Sequence, residues 1–150
     1  MAEIHADENL LLQGANVLTL NKDGHKYGMT FAWGMAVDYD KLIAMIGGQS
    51  ITGHHLKVGD KVGISALANG QKEIALSFGD NHSDEFNKFD NDYWEEIDGV
   101  ILIKNAARQL ICEVVDIFFM KDNNEDPIVE FKVLKKIKHA DRFINYIDLK

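Results

Sequence analysis

Two runs near the C-terminal end, Gln109 to Met120 and Ile128 to Ile137, set the strongest limit on what this chain can fold into. The first is apolar on both faces, with Cys112, Val114 and Phe118 opposing Ile111, Val115 and Ile117. A strand of that kind has to be covered twice. The second run alternates, with Val129, Phe131 and Val133 on one face and Glu130, Lys132 and Leu134 on the other, so it has one wet side. Asp122-Asn123-Asn124 supplies the turn between them. A doubly covered strand beside a half-wet one predicts a barrel wall lying under a helix or a partner subunit.

Further strand-like runs cover Ala15 to Leu20, Met29 to Val37, Leu42 to Ile46, Lys61 to Leu67 and Val100 to Ile103, with turn signals at Lys22-Asp23-Gly24 and Asp98-Gly99. Helical patterns are few and short. Ser50 caps a turn running to Leu56; Gln71 to Phe78 places Ile74, Ala75 and Phe78 on one face; Ala140 to Tyr146 pairs Phe143 with Tyr146 and Ile147. The chain therefore reads as a mostly β, antiparallel barrel or curved sheet with small helices at its rim. One proline, Pro127, and no Gly/Ser-rich tract leave no linker, so residues 1–150 are expected to form one domain.

Composition excludes several classes. The formal net charge of -8 repels phosphate backbones and anionic lipid, which argues against a nucleic-acid partner. A single cysteine, Cys112, allows no intrachain disulfide, and MAEIHADENLLLQG has neither a basic start nor a long apolar stretch. No apolar run approaches the roughly 20 residues of a membrane helix. The expected setting is cytoplasmic, off the membrane.

Familiar catalytic motifs are missing. His54-His55 is a poor ligand pair because adjacent side chains diverge, and no other His, Cys or paired carboxylate stands at a ligand spacing, so no metal is expected. Cys112 inside an apolar strand reads as an inert core thiol. The stretch Asp90 to Asp98 lacks the residue order of a calcium loop and reads as a solvated loop with aromatic anchors. No G-x-S-x-G, P-loop or G-x-G-x-x-G occurs.

What remains is the interrupted run Met29-Thr30-Phe31-Ala32-Trp33-Gly34-Met35-Ala36-Val37, because a bare glycine in a strand marks a close approach by something else. The segment Gly47 to Gly53 follows, and within it Ser50 to Gly53 offers hydroxyls, glycines and the amides of a helix start as an anion cradle, with Lys88 as the added positive charge. Taken singly, Trp33 reads equally as a core or interface aromatic, Thr30 as a strand former and Ser50 as an N-cap.

The ordered set resembles the flavin reductase family with its FMN-binding split barrel. It comprises G-M-T-x-x-W-G, S-x-T before a short helix, Q-x-x-x-A-x-x-F-G, a later Lys88-Phe89, and Cys112-Glu113-Val114. The likeness spans roughly Val17 to Phe131. It implies a six-stranded antiparallel split β-barrel with short peripheral helices, built as a homodimer with flavin near the subunit interface. By the same resemblance Thr30, Phe31, Ala32 and Trp33 would line the isoalloxazine, and Ser50, Thr52 and Lys88 would hold the ribityl phosphate. The implied cofactor is FMN rather than FAD, with NAD(P)H as electron donor and a second flavin, oxygen or a redox protein as acceptor; no protein acid or base is required.

Three departures accompany the likeness. Ala32 stands where many members place a serine, Ser65 where a strand asparagine is common, and Asn124-Glu125-Asp126-Pro127 where reductases carry a Gly-Asp-His turn associated with nicotinamide access. Two further readings stay open: an FMN-binding electron-transfer protein without NAD(P)H activity, and a cofactor-free dimeric binding module. The apolar strand ending in Phe118-Phe119 independently predicts a dimer.

Overall fold

The structure, a computed structural model, describes residues 11–47, 50–79 and 88–149. The N-terminal ten residues, Gly48-Gln49 of the cradle segment, and residues 80–87 between the Q-x-x-x-A-x-x-F-G motif and Lys88 lie outside the described residues. Among the described residues nine strands form two sheets. They are β1 (Asn16–Lys22), β2 (His25–Phe31), β3 (Gly34–Asp38), β4 (Lys41–Met45), β5 (Lys61–Ala66), β6 (Trp94–Ile97), β7 (Val100–Ile103), β8 (Arg108–Phe118) and β9 (Ile128–Lys138). Two helices, α1 (Ile51–His55) and α2 (Lys72–Gly79), flank them.

The main sheet has seven strands in the order β2-β1-β5-β8-β9-β4-β3, and β6 and β7 form a separate two-stranded hairpin. Its two edge strands, β2 and β3, are consecutive in the chain and separated only by Ala32-Trp33. Counted as one bent strand, they turn the seven strands into six and bring the sheet round on itself. The ring is closed by a covalent link, not by a ladder. This is a split barrel, and it revises the single run Met29 to Val37: the chain changes sheet edge at Ala32-Trp33.

Gly34 is bare for a packing reason. A Cβ there would lie 2.8 Å from the Phe31 ring and 3.3 Å from the Ala44 side chain. Phe31 is buried in the barrel interior with Leu18, Ile46, Val62, Cys112, Val129 and Phe131. The group that approaches the glycine is thus the protein's own core aromatic.

The hairpin β6-β7 covers the outside of β1, β5 and β8. Thr19 donates its hydroxyl to the Ile101 carbonyl, and Ser65 accepts from the Ile103 amide at 2.9 Å. Ile111 of β8 packs against Val100 and Leu102. Gln109, also buried, donates to Glu95 (2.8 Å) and to the Ile103 carbonyl (2.9 Å), while its amide oxygen lies 2.7 Å from His139 Nε2. The amide oxygen can only accept, so His139 donates.

Sequence patterning misread this hairpin. The stretch expected as a solvated loop contains β6, because Trp94 packs edge-on against Phe89 at 5.9 Å and donates to its carbonyl, pinning an otherwise acidic strand. The helix expected over Ala140 to Tyr146 is also absent: Phe143 bridges to Ala68, Asn145 to Gly14, and a 3-10 turn spans Tyr146–Leu149. Those backbone groups find partners across the barrel end instead of within a helix. β8 is covered on both faces only over its first half; Phe118 lies exposed.

Candidate functional site

β2 is built with two different faces. On one, Tyr27, Met29 and Phe31 lie toward α1 and the barrel interior; on the other, Gly28 and Thr30 lie beneath α2. A Cβ on Gly28 would lie 2.8 Å from the Phe78 ring and 3.0 Å from Phe89, so α2 sits directly on the strand backbone. Thr30 donates its hydroxyl to the Ala75 carbonyl at 2.6 Å. Having given its one proton, that oxygen can now only accept.

The outer edge of β2 is held by a cation. Lys88, with 4% of its surface exposed, donates to the carbonyls of Gly28 and Phe78, each at 2.8 Å. Gly28 therefore points its carbonyl away from β1, and strand alternation turns the backbone groups of Thr30 the same way. Beyond them the ladder stops, where Gly34 donates to the Ala32 carbonyl (3.0 Å) and Met45 to the Trp33 carbonyl (2.8 Å).

Ser50 caps α1, its oxygen accepting from the Gly53 amide at 3.0 Å. Its proton is directed to Met29 Sδ, also at 3.0 Å. A thioether is a weak acceptor, easily exchanged for an anionic oxygen. Thr52 is buried, 1% exposed. The structure thus brings Ser50 to Met29 across 21 residues of sequence, on the strand face opposite to the one from which Thr30 reaches α2. Phe31 is present as core, so only its backbone is left to meet a ligand, and Ala32 is buried as well. Trp33 turns outward, 60% exposed. Lys88 is engaged with the β2 edge and the end of α2.

Sequence reading passed over Met29 as the partner of Ser50, and over a stack of three rings farther along the same face. Tyr27 lies over His55 at 4.4 Å and 25°, and His25 meets Tyr27 at 4.3 Å. The period-two pattern His25, Tyr27, Met29, Phe31 was the available signal. Ser65, in place of a common asparagine, is fully engaged with the β7 backbone. The turn Asn124 to Pro127 borders the same region, since Ile46 donates to the Pro127 carbonyl at 3.0 Å.

Burial pushes the Cys112 thiol up to about 12, which makes it an inert core group. A cavity of about 190 Å3 lies elsewhere, between the β1 and β5 ends and the Asp98-Gly99 turn; it has no Ser50 or Thr30 in its lining.

Residues 10–140 match the family described as Flavin reductase like domain. No curated protein matches the chain by sequence. Among solved structures, a NADH:FAD oxidoreductase of Streptomyces globisporus superposes with a TM-score of 0.75 at 20% identity, covering 85% of this chain and 76% of that one. An FMN-binding protein of Thermus thermophilus gives 0.79 at 13% identity, over 93% and 78%. A flavin reductase homologue of Haemophilus somnus gives 0.77 at 17%, over 91% and 89%. At these identities the structural likeness establishes the fold.

Proposed function

Since the chain belongs to the flavin reductase like family, we propose that it binds FMN at the split of its barrel and is reduced there by NAD(P)H, passing electrons to an acceptor. The observation that carries this reading is the meeting of β2 with the α1 cap, the Ser50 hydroxyl standing 3.0 Å from Met29 Sδ. The residues fit such a group. Ser50 exchanges its thioether partner for a phosphate oxygen with little loss, and the β2 edge at Thr30 offers a backbone donor and acceptor to a flat polar ring. Ala32 adds no bulk, and the buried Lys88 keeps the edge in place and contributes positive charge nearby. Thr52 completes the phosphate end.

A bound flavin supplies the hydride-accepting and electron-passing chemistry; the chain holds and orients it and excludes water behind the Phe31 core. Relatives in structure support a nicotinamide donor: the Streptomyces protein is described as an NADH:FAD oxidoreductase and has been solved with NAD and FAD fragments.

A second reading keeps FMN and drops NAD(P)H. It is favoured by the sequence of the Asn124 to Pro127 turn, which carries Glu125 and Asp126 and no histidine, and which Ile46 joins through the Pro127 carbonyl. Anionic groups there oppose a phosphorylated donor.

The proposed assembly is a homodimer formed through the outer sheet face. Trp33 just before β3, Met45 of β4, the buried Ile128 of β9 and Phe118 of β8 stand in one row, with Met35, Phe119 and Met120 exposed nearby. The setting is cytoplasmic, and no helix among the described residues is long and apolar enough to cross a membrane.

The test is an absorption spectrum after addition of FMN and removal of excess by gel filtration, followed by anaerobic NADH or NADPH. Retained flavin bands that bleach with either donor support the reductase. Retained bands that bleach only with dithionite establish the electron-transfer reading, and colourless protein whose Tm is unmoved by FMN leaves the cofactor-free module.

A further inference from the structure

β9 outruns the strand on one of its sides. There β4 pairs only as far as Lys132, and the last bond runs from the Val133 amide to the Asp40 carbonyl at 2.7 Å. On the other side β8 continues, pairing Leu110 with Lys136 and Arg108 with Lys138. One step farther His139 donates to the Ala107 carbonyl at 3.1 Å, so the His139 backbone faces β8. Backbone groups of successive residues in an antiparallel strand face opposite sides, which turns the amides and carbonyls of Lys136 and Lys138 away from β8. Among the described residues no strand pairs with that edge.

Charge decides what fits it. Residues 132–142 carry Lys132, Lys135, Lys136, Lys138 and Arg142 against Asp141 alone, in a chain whose net charge is -8. Lys135 reaches Asp98 at 3.1 Å and Lys138 reaches Asp141 at 2.7 Å, while the exposed Lys136 makes no ion pair among the described residues. Lysines on an edge oppose pairing with a second copy, which would set lysine against lysine. The same charges admit a strand of opposite sign, because unlike charges facing each other across an antiparallel pair attract.

We propose that the edge of β9 at Lys136 and Lys138 is a docking strand for an extended acidic segment of a partner protein. The segment adds to the sheet through its backbone, and its carboxylates at alternate positions meet the lysines. Lys136 lies eight residues beyond Ile128, roughly 26 Å along the strand at ~3.3 Å per residue, so this surface is separate from the barrel split and its occupation does not depend on flavin.

The test uses the full chain and a capped peptide of alternating Glu and Thr. A Lys-Thr peptide and a Glu-Thr peptide N-methylated at every residue serve as controls, with amide NMR shifts and amide exchange as the readouts. The Glu-Thr peptide is expected to shift the Lys136 and Lys138 amides, to slow their exchange about tenfold, and to lose affinity as salt is raised to about 0.5 M. Neither control peptide is expected to bind. Lys136→Glu reverses an exposed charge and is expected to weaken the Glu-Thr peptide about tenfold. Lys136→Pro removes an outward donor, which a strand edge tolerates, and is expected to abolish binding with an unchanged melting profile. If that variant fails to fold, Lys136→Glu and the N-methylated peptide decide. No binding of the Glu-Thr peptide, or equal binding of its N-methylated form, overturns the docking strand. Protection of the same amides that rises with protein concentration alone assigns the edge to a second copy, and tighter binding of a short single-stranded DNA than of the peptide assigns it to nucleic acid; either result also overturns the proposal.

Discussion

β2 and β3 come from one continuous apolar-looking run, yet they end in opposite environments. β2 is covered on both faces, by α1 and the core on one side and α2 on the other, whereas every residue of β3 is exposed. Their composition does not separate them, since Met35, Ala36 and Val37 are as apolar as Met29, Phe31 and Ala32. Coverage does: among the described residues two helices return over one strand and none over the other. Such an uncovered apolar edge is a liability unless something pairs with it.

The contrast can be broken hardest at the hinge itself. Phe31→Ala empties the core under Gly34 and is expected to cost about 3–5 kcal/mol in denaturant unfolding, as for other large aromatic truncations. Next is Gly28→Ala, which forces a methyl against Phe78 and Phe89 on the covered strand; an overpacking loss of about 1–3 kcal/mol is expected. Met45 and Trp33 retain their backbone bond in both variants, so loss of β3 pairing beyond these figures would show that the strands are not independent.

Ser50→Ala removes the α1 cap and should lower stability by about 1 kcal/mol, together with a fall in FMN affinity. On the bare strand, Met35→Asp is expected to change monomer stability by no more than about 0.5 kcal/mol while shifting sedimentation from dimer toward monomer. A monomeric wild-type protein would remove the role proposed for β3.

The last effect is confined to alkaline pH. Burial raises Cys112 to about 12 in the folded chain against 9.0 for the ordinary thiol. Its contribution to stability is therefore full below about pH 9 and is lost as pH rises toward 12, because the unfolded thiol ionises first. In the folded protein at pH 8, Cys112 should resist iodoacetamide; rapid labelling would place it outside the core.

Much of the fold was legible. The strands from Asn16 to Lys22 and from Lys61 to Ala66, the capped turn after Ser50 and the helix burying Ala75 and Phe78 follow from period and capping, which act within a few residues. The acidic Trp94–Ile97 strand was hidden because its pairing and its Trp94 anchor are supplied from elsewhere in the chain. Ala140 to Tyr146 failed in the opposite sense: helical spacing was present, and the barrel end offered its backbone better partners.

At the candidate site, residue types at Thr30, Ala32, Ser50 and Thr52 were readable from sequence order, while their relations were not. Sequence by itself determined a β-rich chain of low cysteine content, its capped turns, and an irregularity marked by Gly34 within the run Met29 to Val37, since these depend on local sterics and on side-chain chemistry. Only the tertiary structure decided that the run breaks at Ala32-Trp33 and joins two sheet edges, that Ser50 meets Met29, that Lys88 grips the edge of β2, and that His55 lies on Tyr27. Those are long-range contacts, fixed by which surfaces the closed sheet brings together and left unspecified by any local pattern.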